Sequence, residues 1–157
     1  MTYYCYFSSP LGRITIVENG QAISQLHIGE APCLPEAQQC QTPLLESACA
    51  QLEEYFSGKR RIFDLPLAPV GTAFQKKAWN ALLTIPYGQT RTYKDMALAI
   101  GCPKGFRAVG LANNKNPIAI LIPCHRVIGA NGKLVGYAGG VHLKRFLLEL
   151  EGVHVSE

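Results

Sequence analysis

An α/β first part followed by a mostly helical second part is the fold class this sequence predicts, and three observations predict it. Up to about residue 67, short runs of aromatic and β-branched residues alternate with Gly-, Pro- and Asn-containing breaks, the pattern of strands and turns, with one amphipathic stretch among them. Beyond Thr72, apolar residues recur at helical spacing behind threonines able to cap a helix. The charge also changes sign: residues 1–69 hold four Lys/Arg against seven acids, a net of −3, and residues 70–157 hold eleven against four, a net of +7. Pro66 and Pro69 mark the seam, which places the domains at 1–69 and 70–157.

Tyr3 to Phe7 and Arg13 to Val17 read as strands joined by the turn Ser9-Pro10-Leu11-Gly12. Asn19-Gly20 is a hairpin signal leading into a third strand, Ala22 to Ile28. Gly29 to Gln41 has two prolines and no periodicity and reads as a loop; residues 30–42 carry no role that the sequence argues. Thr42 caps a helix with Pro43 at its first position, Leu44, Leu45, Ala48, Leu52, Tyr55 and Phe56 on one face, and Gly58 as its stop. Ile62 to Leu67 reads as one more strand. In the second part, Thr72 caps a helix with Phe74, Ala78, Ala81 and Leu82 buried. The turn Pro86-Tyr87-Gly88-Gln89 follows, and Thr92 caps a short helix facing Met96, Ala97 and Ile100 inward. After the break Gly101-Cys102-Pro103, a helix from Lys104 to about Asn114 carries Lys104 and Arg107, with Lys115 just beyond. Two short helices around a Gly-containing turn make a helix-turn-helix pattern, although helix hairpins also occur in plain cores. The last helix runs from about Val141 to Glu151 and ends at Gly152.

A chain of 157 residues with 48% hydrophobic and 17% charged residues is that of a globular protein, not a disordered one. No apolar run approaches the roughly 20 residues of a membrane span. No basic-then-apolar signal opens the chain, so a cytoplasmic location is expected, or a nuclear one in a eukaryote. Cysteines stand at 5, 33, 40, 49, 102 and 124 with no two-residue spacing, so neither a metal site nor a disulfide framework is expected. The positive second half points to a polyanion partner.

The most informative stretch is Pro123-Cys124-His125-Arg126-Val127. A cysteine is nucleophilic as thiolate, and an adjacent histidine favours that form. It follows an apolar run, Asn116 to Ile122, that reads as buried and strand-like. Alone, the pair reads more readily as an inert half-buried cysteine, the commoner fate of the residue. Asn116 stands eight residues before Cys124, Arg107 seventeen and Tyr93 thirty-one before, and Glu151 twenty-seven after. This set closely resembles the O6-alkylguanine-DNA alkyltransferases. The resemblance extends through Ile85-Pro86-Tyr87-Gly88, Arg107-Ala108-Val109-Gly110, Gly136-Tyr137-Ala138-Gly139-Gly140 and Phe146-Leu147-Leu148-Glu149-Leu150-Glu151-Gly152. It is dense over residues 72–152 and loose over the first 65.

The resemblance implies a ribonuclease H-like α/β N-terminal domain and a C-terminal domain with a winged or modified helix-turn-helix. It implies DNA repair by direct reversal: one irreversible transfer of an alkyl group from guanine O6 in duplex DNA, with thymine O4 as a further position, onto the protein's own cysteine. No cofactor or metal is implied. Cys124 would be the acceptor, His125 its proton relay (through a water in the family), Glu151 the group that orients His125, and Asn116 a structural anchor. Tyr93 would donate to guanine N3, Tyr137 would wall the pocket, and backbone groups near Val127 and Ala138 would read the base. Where Ala138 stands, family members often carry serine, so a modest change of substrate preference is expected. Arg107 is placed like the family's intercalating arginine on a helix that enters the minor groove, with Ala108, Gly110 and Ala112 allowing close approach. Lys94, Lys104 and Lys115 are candidate phosphate contacts. The expected form is a monomer, with cooperative assembly on DNA open. Three rivals share parts of this pattern: a lesion-binding module without chemistry, a Cys-His hydrolase, and a sequence-specific regulator. The first lacks the cysteine, the second leaves the helix-turn-helix unexplained, and the third leaves Cys124 idle.

Overall fold

The structure, a computed structural model, describes residues 1–134 and 140–154. The chain divides into two compact units, Met1–Val70 with Pro117–Leu121, and Gly71–Asn116 with the chain from Ile122 onward.

In the first unit, β1 (Thr2–Ser9), β2 (Gly12–Glu18) and β3 (Ile23–Ile28) form an antiparallel meander, and β4 (Ala37–Gln39) runs parallel to β1, giving the order β3-β2-β1-β4. Ser9 pairs with Gly12 to close the first hairpin, and Gly12 sits at φ 102°, a conformation that a Cβ disfavours. With β-partners on both edges, β2 is buried over five successive residues, Ile14 to Glu18, instead of on alternate ones. The Glu18 carboxylate accepts from the Gly20 N–H and the Thr42 hydroxyl, while the same Thr42 oxygen accepts from Leu45 N–H and caps α1 (Pro43–Phe56). Helix α1 packs on β1 and β2 and buries Leu45, Ala48, Leu52 and Tyr55. Leu44 and Phe56, expected on that face, are half-buried.

Two expectations for this unit fail, for one kind of reason. Residues 62–67 do not form a strand. Gln51 on α1 donates to the Asp64 carbonyl at 3.1 Å and accepts from the Asp64 N–H at 2.8 Å, so a side chain takes the bonds a ladder would need. One bridge, Ile23 to Leu67, remains. Conversely, β4 lies inside the stretch read as loop, its polar residues held by the β1 backbone. The run 116–122 is buried at Ile118, Ile120, Leu121 and Ile122, yet it makes a single bridge, Leu26 to Ile118, before turning. Ile120 sits in that turn at φ 71°, where a β-branched residue is strained by about 1–2 kcal/mol.

In the second unit, α2 (Ala73–Leu82) opens with a reciprocal capping box between Thr72 and Gln75 and buries Ala78, Trp79 and Leu82; Phe74 and Ala81 are half-buried. The Trp79 indole N–H donates to the Ala112 carbonyl at 2.9 Å, tying α2 to α4 (Phe106–Asn114). Strand β5 (Arg91–Thr92) leads into α3 (Tyr93–Ala99), capped by Thr92 with Asp95 returning the bond. Helices α3 and α4 pack together as the helix-turn-helix pair. Lys104 lies in the turn before α4, not on it, because Gly105 N–H bonds to the Cys102 carbonyl and the helix starts afterwards. Strand β6 (Val127–Ile128) pairs parallel with β5, and α5 (Val141–Leu150) follows. Among the described residues, no helix is long and apolar enough to cross a membrane.

Candidate active site

Cys124, His125 and Arg126 form one turn of 3₁₀ helix between Pro123 and β6. Its entry is held at a single atom: the Ile122 carbonyl accepts the Cys124 N–H at 2.8 Å and the Asn116 carboxamide at 2.8 Å. Asn113, buried on α4, donates to the Cys124 carbonyl at 3.3 Å. The backbone around the thiol is therefore gripped from both ends by carboxamides. Asn113 was passed over in the sequence, where it reads as an ordinary helix-end residue.

The His125 ring is fully buried, with Nε2 2.7 Å from Glu151 Oε2. Glu151 caps the C-terminus of α5 and is also buried. Its carboxylate accepts from Arg126 Nε at 2.8 Å, from Arg126 Nη2 at 3.1 Å and from Gly88 N–H at 3.3 Å. Arg126 Nη1 donates to the Ile85 carbonyl at 2.7 Å. The charge of Glu151 is thus neutralised by a bidentate guanidinium, the geometry that makes a buried carboxylate tolerable. Gly88 is at φ 78°, and a Cβ there would stand 3.3 Å from the Glu151 carbonyl, so the Pro86-Tyr87-Gly88 turn approaches this array as only glycine can. Neither Arg126 nor Gly88 was assigned a role from sequence, although both lie inside quoted motifs.

Burial pushes the His125 pKa down, and Glu151 only partly offsets it. The ring is then neutral, with Nε2–H donating to Glu151. Nδ1 is left as a buried acceptor with no hydrogen-bond partner among the described residues. The folded pKa lies below the unfolded value of 6.5, so the unfolded chain binds the extra proton and acid favours unfolding. Urea midpoints should therefore fall as pH drops below about 6.5, and His125→Asn should flatten that segment of the profile.

A second buried cation belongs to this unit. Lys144 of α5 is fully buried, its Nζ 3.5 Å from Tyr93 Oη and 5.7 Å from the ring centre. Burial lowers the Lys144 pKa to about 8, opposed by attraction to the Cys124 thiolate. Burial raises the Tyr93 pKa, with Asn113 opposing and the Cys124 thiolate adding to the rise, so Tyr93 keeps its proton at neutral pH. Lys144 escaped the sequence reading, although a signal was present: Lys144, Leu147, Leu148 and Glu151 share one helical stripe, which sets two charges on an apolar face.

Val127 is fully buried. Arg107 is exposed near the start of α4 with Ala108 exposed beside it. A Cβ at Gly110 would point to the Tyr93 ring, 3.8 Å away, and Ala112 is buried, so of the three small residues expected to admit DNA only Ala108 lies on the outer face. Lys94, Lys104 and Lys115 are all exposed. Tyr137 and Ala138 lie outside the described residues.

Fold and site together define a two-unit protein in which a buried Cys-His-Glu-Arg array shares a unit with a helix-turn-helix. Residues 73–153 match the DNA-binding domain, and residues 2–69 the ribonuclease-like domain, of 6-O-methylguanine DNA methyltransferase. The methylated-DNA–protein-cysteine methyltransferase of Methanosarcina acetivorans is 51% identical over 153 residues, covering 96% of this chain and 98% of that protein. The constitutive enzyme of that name from Bacillus subtilis is 44% identical, covering 100% and 99%. The crystal structure of Mycobacterium tuberculosis OGT in complex with DNA superposes with a TM-score of 0.89 at 48% identity, covering 95% of this chain and 92% of that one. The chain belongs to the 6-O-methylguanine DNA methyltransferase family.

Proposed function

We propose that Cys124 takes an alkyl group from guanine O6 in duplex DNA, with the residues around it acting as follows. The activity is DNA repair by alkyl transfer to a protein cysteine, as in relatives about half identical over nearly the whole chain. The thiol proton passes to His125 Nδ1, and Glu151, kept charged by Arg126, stabilises the imidazolium. The sulfur attacks the alkyl carbon, and the carbon–O6 bond breaks with its electron pair passing to guanine. Tyr93 O–H gives its proton to guanine N3, and Lys144, 3.5 Å from that oxygen, returns one to the phenolate. The product is a thioether, so each chain acts once, as a monomer on one lesion.

Arg107 fills the stack after the nucleotide rotates out, and α4 enters the minor groove, where readout is largely blind to sequence and suits a lesion that occurs anywhere. Thymine O4 is the second candidate position. Work on chromosomal DNA implies the cytoplasm in a prokaryote.

The observation carrying this reading is the 2.7 Å His125–Glu151 contact, which leaves Nδ1, on the residue next after the cysteine, as a buried acceptor. Incubation with duplex DNA holding labelled O6-methylguanine tests it. One label per chain should appear on protein, and Cys124→Ala should abolish it; label turning over, or landing on another residue, sinks the proposal. Lys144→Met separates stability from chemistry. The folded Lys144 pKa of about 8 lies below its ordinary 10.5, so holding the charge weakens the fold at neutral pH, a burden released only as pH rises from about 8 to 10.5. The variant should unfold later, by up to about 3 kcal/mol, while transfer slows and the pH midpoint of thiol reactivity moves up. Urea titration and pH-dependent thiol labelling read the two effects separately.

A further inference from the structure

We propose that Cys49 and Cys5 form a thiol–disulfide exchange site: Cys49 attacks a small cationic disulfide entering the cavity beside it, and Cys5 resolves the adduct into an internal Cys5–Cys49 disulfide. The site is independent of the Cys124 reaction and lies wholly in the first unit.

Cys5 is buried in β1, opposite Ile16 of β2, and Cys49 is half-buried on α1, forty-four residues away in sequence. Packing of α1 on β1 brings the two sulfurs to 3.6 Å, in contact but unbonded. A disulfide needs about 2.05 Å, so closure asks the two sulfurs to approach by about 1.5 Å. An open cavity of about 530 Å³ lies over Cys49, bounded by Phe7, Ser8, Gln41, Glu46 and Glu53, large enough for a small disulfide.

The two thiols are not equivalent. One hydrogen bond joins the two sulfurs, in which either atom can donate, and Gln41 Nε2 lies 3.9 Å from Cys49 Sγ. Together these lower Cys49 to about 7, against burial and the charge of Glu46, while the same contact pushes Cys5 up. Cys49 lines the cavity and meets an incoming disulfide first, while Cys5 is buried and serves as the reserve, the division of labour that exchange requires.

The steps balance. Cys49 thiolate attacks one sulfur of RSSR, forming a mixed disulfide and expelling RS⁻, which takes the proton of Cys5. The Cys5 thiolate then attacks Cys49 Sγ and expels the second RS⁻, which takes up the proton that Cys49 first gave to solvent. Two protein thiols are oxidised and one small disulfide is reduced to two thiols. Specificity follows from charge. The cavity wall carries the carboxylates of Glu46 and Glu53 and no lysine or arginine, so a dicationic disulfide is attracted and an anionic one repelled.

The test uses the full chain with cystamine or glutathione disulfide, quenched with iodoacetamide and mapped by peptide mass spectrometry. A Cys5–Cys49 cross-linked peptide should form, about tenfold faster with cystamine than with glutathione disulfide after normalisation to an unstructured cysteine peptide, and added salt should narrow the gap. Cys49→Ser should leave Cys5 unmodified. Cys5→Ala, with Cys5→Ser as a second variant should the first fold poorly, should stall with the small thiol on Cys49. Alkyl-transfer capacity should be unchanged in Cys49→Ser. The proposal is overturned if Cys5 and Cys49 stay reduced while exposed Cys33 and Cys40 are modified, if Cys49 pairs elsewhere, or if the anionic disulfide reacts as fast.

Discussion

Glu151→Gln is expected to slow alkyl transfer by a factor on the order of 10² to 10⁴ and to weaken the fold by about 3–5 kcal/mol. Both effects come from one carboxylate serving both the histidine and the guanidinium. Its oxygens accept from Arg126 Nε at 2.8 Å and from His125 Nε2 at 2.7 Å, with Arg126 Nη2 sharing the second oxygen. A carboxamide has one oxygen and one NH₂. Its oxygen must face the guanidinium, which has no acceptor to offer, so its NH₂ faces His125. The histidine then accepts at Nε2 and carries its proton on Nδ1, the atom that should receive the thiol proton. Chemistry fails through the wrong tautomer, and the pH midpoint of Cys124 reactivity should rise. Stability falls because Arg126, buried and bonded to the Ile85 carbonyl, loses its counter-charge. Single-turnover transfer and urea unfolding measure the two effects. In a double-mutant cycle with Arg126→Met, the stability losses should be far from additive, since the paired removal leaves no unmatched charge. Additive losses, or an unchanged thiol titration, would show that Glu151 does not orient His125.

The parts of this molecule legible in its sequence are those whose determinants lie close together in it. The meander of the first unit was readable because Ser9-Pro10-Leu11-Gly12 and Asn19-Gly20 punctuate it, and the helix starts because Thr42, Thr72 and Thr92 each cap a helix through their own side chains. What escaped depends on distant partners. Residues 62–67 have strand composition, but Gln51, thirteen positions before Asp64, captures the backbone there. Strand β4 has no strand composition and exists because β1 offers it an edge. Asn113 and Arg126 are ordinary in isolation and gain meaning only from the Cys124 carbonyl and the Glu151 carboxylate that the fold brings to them. Lys144 differs, since its place on an apolar helical stripe was visible and a buried lysine could have been inferred. The sequence motif named the cysteine and histidine; the cations that surround them come from packing.

Arg107→Ala is expected to cut transfer from duplex DNA by about 10²-fold while leaving transfer from free O6-methylguanine base nearly unchanged. The asymmetry follows from where Arg107 stands. It is exposed near the start of α4, on the outer face of the helix-turn-helix, and it is absent from the hydrogen bonds that build the Cys124 array. Rotating a nucleotide out of a duplex costs a few kcal/mol of lost stacking, and an inserted guanidinium recovers part of it by stacking on the neighbouring bases. Loss of about 2.7 kcal/mol corresponds to the hundredfold effect. A free base has no stack to leave, so the variant should lose nothing there. Lysine at this position would keep the charge but not the planar face, and Arg107→Lys should recover only a minor part of the rate. Substituting Lys94, Lys104 or Lys115 should act differently, weakening binding to damaged and undamaged duplex alike and flattening the dependence on salt by about one ion per contact. Equal slowing of duplex and free base by Arg107→Ala would place the arginine in the chemistry and remove it from flipping, because a side chain that only supports an extruded nucleotide cannot slow a substrate that was never stacked.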